Sequence, residues 1–184
     1  MSEGELTPPV SERDHASGPA TAPVTLVEYG DYECPHCGHA HPIVESIRRK
    51  LGKRLRFVFR NFPLAEAHPH ARHAAEAAEA AAEQGKFWEM HDAIFENQAA
   101  LEDAQLVATA RRLKLDAGRI ATALEEGTYT RRVRDDFRNG VLSGVNGTPT
   151  FFINGRRYDE SWADERGFTA ALELAAKTAT PATA

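Results

Sequence analysis

The sequence predicts an α/β domain in which a long helical block interrupts a smaller framework of strands and helices. Three observations carry this expectation. Apolar, β-branched or aromatic runs occur early, at Pro23 to Tyr29 and Leu55 to Phe62, and again late, at Pro149 to Ile153. Between them, from about 65 to 143, strand signals vanish and segments with apolar residues every three to four positions take over. The only two cysteines, Cys34 and Cys37, stand where the first strand gives way to the first helix.

Composition bounds the rest. A chain of 184 residues suits one domain, or one domain with a sizeable insertion. Hydrophobic residues at 42% and charged residues at 27% match a soluble globular protein. The net charge of −5 argues against nucleic acid or an anionic membrane as partner, since both select basic patches. No apolar stretch of about 18 residues is present, so no membrane insertion is expected. The first 24 residues hold no basic segment followed by an apolar run, and the expected location is therefore cytoplasmic, or periplasmic where a leader has been removed.

Each element can be justified in order. Residues 1–13 are polar, with Pro8 and Pro9, and are expected to be loose. "PVTLVEY" reads as a buried strand, and "GDYE" as the loop leading to the cysteines. From Pro35 to Leu51 the apolar positions 43, 44, 47 and 51 have helical spacing, and Gly52 closes the helix. "LRFVFRNF" is the second strand. "HARHAAEAAEAAAEQG" is built from the best helix formers and stops at Gly85. Four further amphipathic segments follow, the last being "TRRVRDDFRNGVLSG", whose interleaved charges read as a solvated helix face. "PTFFI", Asn154-Gly155 and "RRY" form a hairpin, and "ERGFTAALELAAK" a final helix. Strand, helix, strand, helical block, hairpin, helix is the plan of a thioredoxin fold with an inserted all-helical block. The expected parts are 14–64, the insertion 65–143, then 144–177, with 178–184 as a loose tail.

The cysteine pair is too close in sequence to act as a structural staple, because it would close almost no loop. Pro35 suits the first helical position, which places the Cys34 sulfur beside unpaired N–H groups and the positive end of a helix dipole. Such positions lower a thiol pKa below the ordinary value of about 8.5. His36 adds positive charge or a donor. Cys37, one turn further in, is expected to be more buried. The asymmetry assigns Cys34 as nucleophile and Cys37 as resolving thiol. A stabilised Cys34 thiolate favours the dithiol and makes the disulfide more oxidising.

"CPHC" after "VTLVEYGDYE", together with the downstream "GVNGTPTFFINGRRY", resembles the DsbA family of thiol–disulfide oxidoreductases, and the likeness runs from about Asp14 to Lys177. The resemblance implies disulfide exchange with protein or peptide thiols, an unidentified redox-recycling partner and no cofactor. It implies that Gly147, Thr148 and Pro149 form a cis-proline loop for substrate, whose backbone suits an added extended strand. It also implies that Glu28 is a buried acid moving protons around the cysteines. By strand alternation alone, Glu28 reads equally as an outward-facing residue.

Rival chemistries are weaker. Cys34, Cys37, His39 and His41 are zinc-ligand types, but on a helix residue 39 points about 200° away from 37, so four ligands do not converge. His68, His70 and His73 lack a thiol or acidic partner at fixed spacing; the expected role is hydrogen bonding at the entry to a helix, and His91 is read likewise. Phe87, Trp88 and Phe95 read as core. No metal site is expected. A kappa-class glutathione transferase relative would carry serine in place of the cysteine pair. The alternative function is a redox-sensing adaptor whose disulfide state controls partner binding without turnover.

Overall fold

The computed structural model describes residues 4–178. Among them are strands β1 (His15–Ser17), β2 (Val24–Gly30), β3 (Leu55–Asn61), β4 (Thr150–Ile153) and β5 (Arg156–Tyr158). The helices are α1 (Pro35–Leu51), α2 (Ala71–Ala82), α3 (Phe87–Phe95), α4 (Asp103–Arg112), α5 (Ala117–Glu126), α6 (Thr130–Leu142) and α7 (Glu165–Thr178). The sheet order is β1-β3-β2-β4-β5. This is a thioredoxin fold carrying a helical insertion, as the element order predicted. Among the described residues, no helix is long and apolar enough to cross a membrane.

The chain divides into two compact units. One comprises residues up to Tyr29, His39–Arg60 and Asn139 onward; the other comprises Gly30–Gly38 and Asn61–Arg138. This division differs from the expected boundary at 64/65, because the cysteine segment groups with the helical insertion and the end of α6 groups with the sheet.

In the sheet unit, both central strands are buried along nearly their whole length, so period-two alternation is absent. Phe151, Phe152 and Phe168 are fully buried, with Phe168 packed 5.0 Å from Phe151 and 4.8 Å from Tyr158 between ring centres. Asn154 and Gly155 both take positive φ, 48° and 80°, which is the twist a two-residue hairpin turn needs.

The expectation of a loose segment 1–13 needs correction. Residues 1–3 lie outside the described residues, but from Gly4 the chain is tied down. Glu5 bridges Arg156, Leu6 donates to the Gly155 carbonyl at 2.8 Å, and Thr7 donates to Ser143 Oγ at 2.8 Å. The carbonyls of Pro8 and Pro9 accept from Arg60 at 3.0 and 3.2 Å. Arg60 is 2% exposed and also donates to both Asp14 oxygens, at 2.7 and 3.1 Å, and to Tyr29 Oη at 2.9 Å. Burial alone would lower the guanidinium pKa, but the hydrogen bonds and charges of Asp14 and Tyr29 raise it. A buried cation needs every donor satisfied, and the N-terminal carbonyls complete the set. β1, missed in the sequence, pairs with β3 in register His15↔Phe59; three residues are too short to show a period. Of the expected tail, Thr178 ends α7 and residues 179–184 lie outside the described residues.

In the other unit, α2 is the central helix, packed on α3, α4 and α5. Its alanines at 71, 74, 75, 77, 78, 80 and 81 are buried, and their small size lets neighbours approach from several sides. Glu76 and Glu79 are buried on the same helix. Glu79 accepts from Asn61 Nδ2 at 2.7 Å and lies 3.6 Å from the Arg132 guanidinium. Asp136, 2% exposed, pairs with the same arginine and accepts from the Asn61 backbone at 3.1 Å. Arg132 and Asp136 therefore do not lie on a solvated face, as the "RRVRDDFR" pattern suggested. Burial pushes the Asp136 carboxyl up, Arg132 opposes this, and Glu79 adds to it.

Candidate functional site

The site grows out of the turn between β2 and α1. Cys34 precedes the first helical residue, Pro35, and the Gly38 N–H donates to the Cys34 carbonyl at 3.0 Å, the first full helical bond. Cys34 thus takes the cap position, and Pro35 the place where a missing N–H costs nothing. Cys34 is 4% exposed and Cys37 fully buried. Both are buried, Cys37 the more so, as its place one turn further in predicts. Pro35 and His36 are exposed at the start of the helix.

Asp31 organises this turn, a role that sequence reasoning missed. Its backbone N–H donates to Cys37 Sγ at 3.4 Å, and its carbonyl accepts from the Cys34 N–H at 3.2 Å. Its carboxylate is 1% exposed and accepts from Glu33 N at 2.8 Å, Leu64 N at 2.8 Å and His68 Nδ1 at 2.7 Å. One residue therefore touches one sulfur, the other cysteine's backbone and the start of the insertion. The signal in the sequence was present but ambiguous: an Asp in the loop four residues before the helix is a common turn former.

Further bonds hold the segment. Phe62 N donates to the Gly30 carbonyl at 2.8 Å, and His70 N to Glu33 Oε2 at 2.6 Å. The Gln98 amide donates to the carbonyls of Tyr32 and Cys34 at 2.8 and 2.9 Å. Gly38 makes room for that amide: a Cβ there would stand 2.1 Å from Gln98 Oε1. Tyr32 is buried, its hydroxyl 2.9 Å from His91 Nδ1 and its ring 4.8 Å from Phe95. Phe87, His91 and Phe95 are buried and Trp88 is partly exposed, so this aromatic group is packing for the turn.

Of the histidine cluster, His73 Nδ1 pairs with Asp103 at 2.7 Å and His68 with Asp31. Burial would lower the His68 pKa, but its bond to Asp31 and the charges of Asp31, Cys34 and Glu33 raise it. A raised histidine stabilises the fold fully below its unfolded value of about 6.5, and this contribution is lost as pH rises through the higher folded value. Denaturant unfolding across pH 6 to 8 is therefore expected to show stability falling as pH rises. The fall should be smaller in His68→Asn; an equal fall in both proteins contradicts the assignment.

The other expected residues lie in the sheet unit. Glu28 sits in β2, 3% exposed and in register with Phe151, so it is not outward-facing. Gly147, Thr148 and Pro149 are partly exposed and precede β4; the Thr148–Pro149 bond is cis, and the Gly147 carbonyl accepts from Thr150 Oγ1 at 2.7 Å.

Comparison with known proteins places this geometry. A family model described as Thioredoxin matches residues 10–173. Among curated relatives, the Na(+)/H(+) antiporter NhaA 1 of Salinispora arenicola is 48% identical over 88% of this chain and 25% of its own length. The antiporter NhaA of Herminiimonas arsenicoxydans is 45% identical over 91% of this chain and 27% of its own. The chain thus spans about a quarter of the length of these relatives. Among solved structures, BdbD from Bacillus subtilis superposes with a TM-score of 0.85 at 24% identity, covering 96% of this chain and all of that one. A thioredoxin-like oxidoreductase from Silicibacter pomeroyi gives 0.80 at 25% identity, covering 92% and 95%. With a family model that covers most of its length and a CXXC pair at the mouth of its first helix, the chain belongs to the thioredoxin family.

Proposed function

We propose that the chain is a protein thiol–disulfide oxidoreductase working through Cys34 and Cys37. The observation that supports this most is the placement of Cys34 at the cap of α1, with Cys37 one turn behind it and buried. A sulfur at that cap is favoured as thiolate by the unpaired N–H groups of the first turn. In the oxidising direction, a substrate thiolate attacks Cys34 of the disulfide, the S–S bond breaks, and Cys37 leaves as thiolate and takes up a proton. A second substrate thiol, losing its proton, then attacks the substrate sulfur of the mixed disulfide and releases Cys34 as thiolate. Two electrons pass from substrate to protein. The reducing direction is the reverse, with Cys37 resolving the mixed disulfide.

His36, exposed beside the pair, supplies positive charge or a donor to Cys34. Gly147, Thr148 and Pro149 offer backbone to an extended substrate peptide, and Glu28 carries protons for the buried thiol. Partners are protein thiols or disulfides and a separate redox-recycling protein. Direction follows from the potential: a couple more oxidising than glutathione introduces disulfides, and one less oxidising removes them. The antiport activity in the relatives' names is not proposed for this chain, which matches only about a quarter of their length.

Cys37→Ser tests the roles. It should accumulate mixed disulfides between Cys34 and substrate proteins, visible as adducts on non-reducing gels that dithiothreitol removes. A Cys37→Ser protein without such adducts contradicts the resolving role. Catalytic turnover of a model disulfide separates this reading from a redox-sensing adaptor, which would bind and not turn over.

A further inference from the structure

The Asp31–His68 pair is not accounted for by cysteine chemistry alone. Asp31 is a buried carboxylate whose oxygens already take two backbone donors, from Glu33 and Leu64, before His68 arrives. An Asp with two N–H partners is satisfied as a turn former. The added imidazole at 2.7 Å gives it a titratable counter-charge, supplied from a loop 37 residues away in sequence. The same Asp31 backbone bonds to Cys37 Sγ and to Cys34 N. A charge change at His68 is therefore felt within the turn that holds both sulfurs.

We propose that His68, seated by Asp31, is a positioning residue that sets the redox poise of the dithiol: its imidazolium favours the Cys34 thiolate and so the reduced state. The inference rests on the oxidoreductase reading. Three negative or ionisable groups face His68: Asp31, Glu33 and Cys34. Asp31 and Glu33 by themselves oppose a thiolate in this turn, and the imidazolium offsets them. The charge of Cys34 favours a protonated His68, and the attraction is mutual, so the imidazolium favours the thiolate.

The consequence is a directional redox effect. Reduction by two glutathiones proceeds by attack of one thiolate on Cys34 and loss of Cys37, which takes up a proton. The second thiolate then attacks the glutathione sulfur, releasing glutathione disulfide and the Cys34 thiolate. That final anion is the species His68 stabilises. Without the imidazolium, the equilibrium shifts toward the protein disulfide and the couple becomes less oxidising.

Two measurements test this. In the wild-type protein, the His68 imidazole is followed by NMR across pH 5 to 9 in the dithiol and disulfide forms. It should titrate at higher pH in the dithiol form, because only there is the thiolate present. In His68→Asn, where an amide can still donate to Asp31 without charge, the glutathione equilibrium should move roughly tenfold toward the disulfide, about 30 mV. The thiolate absorbance of Cys34 should titrate at higher pH. Identical His68 titrations in the two redox states overturn the proposal, whether or not the variant folds. An unchanged glutathione equilibrium in folded His68→Asn overturns it too, leaving His68 a structural hydrogen bond. A wild-type chain that never exchanges with glutathione overturns the oxidoreductase reading and this role with it; one that exchanges while His68 is indifferent overturns this role alone.

Discussion

Cys34→Ser is expected to reduce catalysed insulin reduction and disulfide-dependent refolding to the uncatalysed rate while leaving the fold intact. A serine hydroxyl neither ionises at neutral pH nor forms a bond that a thiol can exchange, so both half-reactions lose their attacking or attacked atom. The substitution is close to isosteric and sits at a helix cap, where serine is among the preferred residues, so stability should hold or rise slightly. That combination makes the experiment clean. Far-UV circular dichroism and a thermal midpoint unchanged from wild type, with activity gone, assign the loss to chemistry. Activity retained in Cys34→Ser removes this sulfur from the central role and leaves the reaction without a nucleophile.

The second large effect is on stability. Asp14→Ala should destabilise the protein by about 3–5 kcal/mol, because it takes away the carboxylate that pairs with the buried Arg60 guanidinium. For a chain of this size, roughly 2–4 °C per kcal/mol makes that a fall in thermal midpoint on the order of 10 °C. Adding Arg60→Met to Asp14→Ala should recover much of the loss, since an apolar side chain of similar reach needs no counter-charge. Residues 4–13 should also become protease-sensitive in Asp14→Ala, because the same guanidinium holds the carbonyls of Pro8 and Pro9. A midpoint within 2 °C of wild type, on the scale of roughly 1 kcal/mol or less, would show that the pair is not an anchor.

Both predictions bear on how much can be read without coordinates. Cys34, Pro35 and Cys37 are legible because their chemistry is local: a strand end, a proline and a three-residue spacing fix where the sulfurs stand on a helix. The helical insertion is legible for the same reason, since each segment carries its own period. Arg60 is not. In "LRFVFRNF" it looks like a polar interruption of a strand, and its partner Asp14 lies 46 residues earlier, just past a segment, 1–13, whose composition reads as loose. Nothing local marks two such residues as a buried pair.

The same contrast applies to α2 and to Asp31. Alanine and glutamate in α2 declare a helix, but propensity is blind to what surrounds it, and the exposed amphipathic helix and the central one share that composition. Glu76 and Glu79 are buried because Arg132, Thr130 and Asn61 converge on them from other elements. Asp31 reads as a turn former, and only the arrival of Leu64 and His68 makes it the hub of the cysteine turn.

By itself, then, the sequence determined the order of elements from β2 onward, the helix-mouth position of Cys34 and the roles open to two sulfurs one turn apart. These depend on interactions within a few residues, where backbone sterics and periodicity are decisive. Tertiary structure alone decided which charges are buried, that the N-terminal segment is anchored, and that an Asp–His pair backs the dithiol. Burial and pairing are properties of groups distant in sequence, and no local pattern encodes the low-dielectric surroundings that give them their energy.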